Sequence, residues 1–236
     1  QEPLECFAWD IVEAADEIGL RTLVLPEEYG GIGADLVTAA MVVETLASAD
    51  QGTAVTLMQN YKLTRLLNKV GSPRQKEIFF EKLVANKRFL MAIGSSEPNR
   101  ASDFLIPYES PTTRYQTRAE RAPGGWRING EKHFISNGPV ASLYFLFAQT
   151  NPNADVLKGS TCFLIEPGMP GFSIGRVHDK MGERTTTNAE LYFNDCFVPD
   201  ENVLGAVDRA HEARAHFSFG AGVLASAMVL GVAQAA

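Results

Sequence analysis

The spacing of apolar residues changes character near Arg88, and that change limits the fold more than any other feature. Before it the chain is written in helical periods. Phe7, Ile11, Val12 and Ala15 recur at the spacing of one helix face between Leu4 and Leu20. The stretch "LPEEYGGIGAD" then interrupts with Pro26, Gly30, Gly31 and Gly33, and Asp35 has the side chain of an N-cap for a helix running to about Ala49. A third helix is expected over roughly Thr53 to Val70. A fourth is expected in "GSPRQKEIFFEKLVANK", with Ser72 as cap and Pro73 at the first helical position.

After Arg88 the runs become short, aromatic and β-branched: "FLMAIGSS", "GWRINGEKHFIS", "SLYFLFAQT", "STCFLIEP" and "GFSIGRV". Gly, Pro and Asn bound them, and Asn129-Gly130 is expected to form a hairpin turn. Such a succession predicts a compact β-barrel or sandwich. From Asp208 helical spacing returns. The fold class is therefore α+β. An N-terminal helical domain is expected over 1–90, a middle β-domain over 91–206, and the first helix of a C-terminal helical bundle over 207–236.

That last helix has no charge from Phe217 to Ala236, a length that would span a bilayer. Its Ala and Gly content, with Ser218, Ser226 and Gln234, instead predicts a helix packed in a bundle, so no membrane span is expected. The sequence stops in mid-helix without a cap, and the remainder of a helical domain is expected to lie outside it.

A formal charge of -7 and a pI near 5.2, with no basic run, exclude a nucleic-acid surface as the main partner. Cys6, Cys162 and Cys196 form no CxxC pair and His211 and His216 do not have the spacing of a zinc-binding helix, so no metal site is expected. Scattered cysteines and the lack of a leader-like start suggest a cytoplasmic protein.

Three β-region segments carry polar chemistry. "IGSSEPNRASD" offers backbone N–H groups and the hydroxyls of Ser95, Ser96 and Ser102. "FISNG" places Phe134 and Ser136 two residues apart, which on a regular strand puts both on one side. "DKMGERTTTNAELYFNDCFVPDENVLG" leads Gly182 and Arg184 into a Thr-rich turn and a strand. A flat apolar face, a hydroxyl and backbone donors suit an isoalloxazine ring. The same residues also suit a packed Phe134 and a simple turn at Ser95 and Ser96.

"LPEEYGGIGAD", "SSEP…ASD", "INGEKHFISNG" and "MGERTTTNAELYFNDCFVPDENVLG", in that order, resemble the acyl-CoA dehydrogenase family, over its N-terminal helical and middle β-domains. The resemblance implies a flavoprotein oxidoreductase that holds FAD and acts on acyl-CoA thioesters of fatty acid metabolism. It implies that Ile93, Gly94, Ser95 and Ser96 line the flavin's pyrimidine side. Phe134, Ile135 and Ser136 would cover the other face near N5, and Ser102 would contact the CoA part of the substrate. A catalytic carboxylate would remove the α-proton while the β-hydride passes to flavin N5, and hydrogen bonds to the thioester carbonyl would stabilise the developing enolate charge. An electron-transfer flavoprotein is the implied acceptor and a homodimer or homotetramer the implied assembly. A mitochondrial matrix location is the alternative to the cytoplasm.

The pattern also departs from the family. Phe134 stands where the family usually has Trp, and Ser136 where it has Thr. Asn99-Arg100-Ala101 replaces Gly-Ala-Gly, and "FLIPYESPTTRYQ" is longer than usual. "FGAG" replaces the usual Asp…Arg pair that helps hold CoA. No residue is assigned as catalytic base: the Glu is expected in the C-terminal helical domain, and Glu212 comes about two and a half turns too early. The sequence alone is therefore expected to be inactive. The position aligned with the pocket floor falls near Met58, which suggests an apolar wall. The alternatives to a dehydrogenase are one subunit of a split two-chain enzyme, a related flavin monooxygenase, or a non-catalytic binding module on the same fold.

Overall fold

The computed structural model describes residues 7–100, 104, 110 and 112–236. Cys6 and Ser102, the expected CoA contact, lie outside the described residues. Helices α1 (Trp9–Glu17), α2 (Leu36–Ala49), α3 (Gln51–Val70) and α4 (Pro73–Ala85) form the first block. Their starts are set by local chemistry. The Asp35 carboxylate accepts the Thr38 N–H at 2.8 Å. Ser72 and Gln75 form a reciprocal capping box, with Pro73 at the first helical position. Asp50 closes the gap between α2 and α3 by accepting the Thr53 N–H at 2.6 Å, a cap the sequence pattern did not predict.

Strands β1 (Met91–Gly94), β2 (Arg118–Ala122), β3 (Gly125–Ser136) and β4 (Leu143–Gln149) come next, then the short helix α5 (Val156–Gly159). Strands β5 (Ser160–Ile165), β6 (Phe172–Val177), β7 (Asn188–Pro199) and β8 (Val203–Leu204) precede the long α6 (Ala210–Ala235). The strands form one mixed sheet in the order β6-β7-β3-β2-β4-β5-β8, with β1 added in parallel along β4. Its end strands β6 and β8 do not pair, so the expected β-domain is an open sheet rather than a closed barrel.

Every residue of β4 and β5 is buried, which explains their unbroken apolar runs. Alternation divides them between two cores. Leu143, Phe145, Phe147, Cys162 and Leu164 join Leu63, Leu66, Leu67, Phe79 and Phe80 of the helices. Tyr144, Leu146, Ala148, Phe163 and Ile165 join Trp126, Ile128, Ile135, Leu191 and Val198 of the same sheet, giving it a sandwich-like interior. Burying one such aromatic or aliphatic side chain contributes about 1.5–3 kcal/mol.

Asn129-Gly130 does not form the predicted turn. The β2–β3 hairpin turns at Pro123-Gly124, while β3 runs straight through Asn129 and Gly130 with a bulge against β7. Asn129 Oδ1 accepts the Asp195 N–H at 2.8 Å there. Gly130 has φ 139°, and a Cβ on it would lie 2.6 Å from Thr117 Cα. Ladder pairing to β2 and β7 on both sides outweighs the local preference for a turn.

α6 contains a window with mean hydropathy 1.6, long and apolar enough by composition to cross a membrane. Here it packs against α2 and α3, and Leu224 enters a third core with Val43, Leu57, Met58 and Tyr61. Gly231 sets the closest approach: a Cβ there would lie 2.1 Å from the Glu44 carbonyl oxygen of α2.

Candidate functional site

The end of β1 lies beside the end of β3. The Ser96 hydroxyl donates to the His133 carbonyl at 2.7 Å, and the His133 N–H donates to the Ser96 carbonyl at 3.0 Å. Two of the candidate segments, Ile93–Ser96 and Phe134–Ser136, are thereby brought together. Ile93 packs against the helix-side core, and Gly94 is buried beside Leu146 and Lys132. Ser95 and Ser96 are half-buried. The Ser96 hydroxyl and carbonyl are both occupied within the protein, which leaves its backbone N–H as the group to serve a ligand.

β3 does not keep the strict alternation assumed for Phe134 and Ser136. His133 and Phe134 together oppose Glu190 of β7, between the pairs Lys132–Leu191 and Ile135–Ala189. The bulge puts Phe134 in the left-handed region at φ 57° and re-aims its side chain. The ring is 63% exposed, whereas Ile135 is packed in the sheet core. His178 stacks on Phe134 with centroids 4.7 Å apart. Burial holds the His178 imidazole below its usual pKa, against the pull of Glu190. Asn188 Nδ2 donates to the Phe134 carbonyl at 3.1 Å and to Ser136 Oγ at 3.3 Å.

Three buried polar atoms at this end of the sheet, His178 Nε2, Thr187 Oγ1 and Asn188 Oδ1, have no hydrogen-bond partner. Buried polar groups are ordinarily satisfied. A largely exposed aromatic residue at the same end of the sheet as these unsatisfied polar atoms fits a planar, heteroatom-rich ring such as a flavin.

Beneath the two segments lies a network that the sequence pattern did not reveal. Lys132 Nζ pairs with Glu97 Oε1 at 2.8 Å, and the two side chains are 0% and 1% exposed. Glu97 also accepts the N–H groups of Gln116 and Thr117 at 2.8 and 2.9 Å. Burial pushes the Glu97 carboxyl up, but Lys132 and these donors more than offset it and leave its pKa below the usual range. Burial pushes Lys132 down to about 8 against the pull of Glu97.

The Lys132 amine sits 4.1 Å from the centroid of the Tyr115 ring. The Tyr115 hydroxyl, pushed up to about 12 by burial, meets Ser95 Oγ at 3.2 Å and the Arg214 guanidinium of α6. Arg214 also donates to Ser95 Oγ at 3.1 Å. Lys132 and Glu97 fall within the segments singled out above, yet a strand lysine reads as solvent-facing. Arg214 lies 119 positions from Ser95 and leaves no local signal.

The acyl-CoA dehydrogenase N-terminal domain family matches residues 3–87, and the acyl-CoA dehydrogenase middle domain family matches residues 92–196. An isovaleryl-CoA dehydrogenase, mitochondrial, of Oryza sativa subsp. japonica is 38% identical over 191 residues, covering 80% of this chain and 44% of that protein. The three-dimensional structure of butyryl-CoA dehydrogenase from Megasphaera elsdenii superposes with a TM-score of 0.87 at 32% identity, covering 97% of this chain and 58% of that one. An FAD complex of PigA superposes with a TM-score of 0.84 at 26% identity, covering 97% and 58%. The chain thus spans about half the length of the relatives it matches.

Proposed function

The chain belongs to the acyl-CoA dehydrogenase family, and from that premise we propose that it serves FAD-dependent α,β-dehydrogenation of an acyl-CoA thioester. The carrying observation is the locked pairing of Ile93–Ser96 with the bulged end of β3 around an exposed Phe134. When bound, the flavin supplies the acceptor for the substrate's β-hydride. Phe134 offers its ring as a stacking face, and Ser136 offers its hydroxyl to a ring nitrogen. Ser95 and Ser96 present backbone donors to the ring's polar edge, on a base that Glu97 and Lys132 hold in place. The FAD named with a structural neighbour supports this cofactor.

Glu212 is paired with Arg209 at the start of α6 and is not assigned as the base. Ser102 is kept as the CoA contact. The division into 1–90, 91–206 and 207–236 belongs to the same proposal. So do an electron-transfer flavoprotein acceptor, a homodimer or homotetramer, and a cytoplasmic or mitochondrial matrix location.

The test is an absorption spectrum from about 300 to 500 nm, taken before and after an acyl-CoA is added under argon. Flavin bands that bleach are the expected result. A protein that takes up no flavin, or whose Ser136→Ala variant keeps an unchanged flavin spectrum and redox response, overturns the site assignment.

A further inference from the structure

Three cations among the described residues are buried: Arg21, Lys62 and Lys132. Arg21 is paired with Asp16, and Lys132 with Glu97. Lys62 has no carboxylate partner among the described residues. Lys62 is 9% exposed in α3, and among the described residues its amine faces the Phe217 ring of α6, 5.9 Å to the centroid. A buried charge is ordinarily paired, because taking it out of water unpaired is costly.

The position of Lys62 says where a partner would come from. Met58, Lys62, Arg65 and Lys69 follow one another at four-, three- and four-residue steps along one face of α3. Arg65 and Lys69 line an open cleft of about 820 Å³ against Ala215, His216 and Phe219 of α6. Lys62, three residues before Arg65 on the same face, is buried. On α6, Phe217 is three residues beyond Arg214, about one turn, and Arg214 is the residue bonded to Ser95. The Phe217 ring beside the amine is thus about one turn along α6 from Arg214, the residue that reaches Ser95, and Lys62 itself is four residues after Met58, the expected pocket floor, on the same face of α3. Burial pushes the Lys62 amine down to about 8, so it is still mostly charged at neutral pH.

We propose that Lys62 is a specificity-determining residue of the acyl pocket, and that it receives the distal carboxylate of a dicarboxylic acyl thioester. This rests on the dehydrogenase reading above. The Phe217 ring beside the amine, and Met58 one turn before Lys62 on the same helix face, offer apolar surface that suits a methylene chain ending in one negative charge. A solvated phosphate suits the open cleft at Arg65 and Lys69 instead. An uncharged acyl chain would leave the amine buried and unpaired, so the same residue that attracts the acid discriminates against the neutral analogue.

The test is calorimetric binding to the purified full chain, comparing CoA monothioesters of four- to six-carbon dicarboxylic acids with unbranched monocarboxylic acyl-CoAs of equal length and with free CoA. The wild type is expected to favour the acidic thioester by about tenfold or more. Lys62→Met should abolish that preference by weakening the acid while leaving the neutral thioester and free CoA unchanged or tighter, and Lys62→Arg should retain it. A wild type that binds neutral thioesters as well as acidic ones overturns the inference and leaves the dehydrogenase reading standing, whatever the variants do. A Lys62→Met loss shared equally by free CoA overturns it in favour of a phosphate contact. Binding of no thioester at all overturns the reading and the inference together.

Discussion

Replacing Lys132 with Met isolates Glu97 as a buried carboxylate without a counter-charge. Glu97 is 1% exposed, and Gln116 and Thr117 would be left as its donors, at 2.8 and 2.9 Å. Breaking one side of a buried pair costs about 3–5 kcal/mol. For a chain of this size each kcal/mol lowers the melting temperature by roughly 2–4 °C, so a drop of about 6–20 °C is expected. The loss should depend on pH. In the wild type the depressed carboxyl pKa contributes stability that is present above the unfolded value near ~4.3 and is lost as pH falls through the folded value.

Without Lys132, burial dominates and the carboxyl pKa rises, so protonation relieves the variant. The stability gap between wild type and Lys132→Met should therefore be wide at pH 8 and narrow at pH 5. Urea unfolding at both pH values measures it. Glu97→Leu/Lys132→Met, which removes both charges, should be more stable than the sum of the single losses. A loss below about 1 kcal/mol that is additive with Glu97→Leu and indifferent to pH would refute the view that this pair anchors the two segments.

Gly231→Ala places a methyl 2.1 Å from the Glu44 carbonyl and should cost about 1–3 kcal/mol by forcing α6 off α2. Gly222→Ala, which meets open space, should instead be neutral or stabilise by up to about 1 kcal/mol; equal effects in urea unfolding would contradict the close packing at Gly231. At Lys62 the folded pKa of about 8 lies below the ordinary lysine value, so the cost of burying its charge is full below pH 8 and fades as pH rises toward ~10.4. Lys62→Met should be more stable than wild type by up to about 3 kcal/mol at pH 7, with the gap closing by pH 10. A gap that is constant between the two pH values counts against a charged, buried amine.

Features encoded within four residues of each other were legible in the sequence. Asp35, Ser72 and Pro73 announce helix starts because their hydrogen bonds and fixed dihedrals act locally. The runs that became β4 and β5 were legible because burial on both faces excludes charged residues and leaves a long apolar stretch in each strand. Asn129-Gly130 misled because turn preference is a local quantity, and here two neighbouring strands decide the backbone. The same limit hid the twist at Phe134: alternation assumes an even ladder, and one extra residue opposite Glu190 breaks it. The two candidate flavin segments stood out by their hydroxyls and by the aromatic beside them, and resemblance supplied the roles proposed for them. The charges beneath them did not stand out, since Glu97 and Lys132 meet across 35 positions and nothing in a strand's composition says that its lysine points inward.

The left-handed backbone at Phe134 sets directed evolution for thermostability against the proposed function. A phenylalanine at φ 57° sits where glycine or asparagine would be at ease, at a strain of roughly 1–2 kcal/mol. Its ring is largely exposed and returns little of that through packing. A library selected only for heat resistance would therefore enrich Gly or Asn at 134 and discard the one side chain whose shape the backbone was bent to display. Variants recovered that way would melt later and lose flavin, and a screen for colour and a screen for stability would rank the same residue in opposite order.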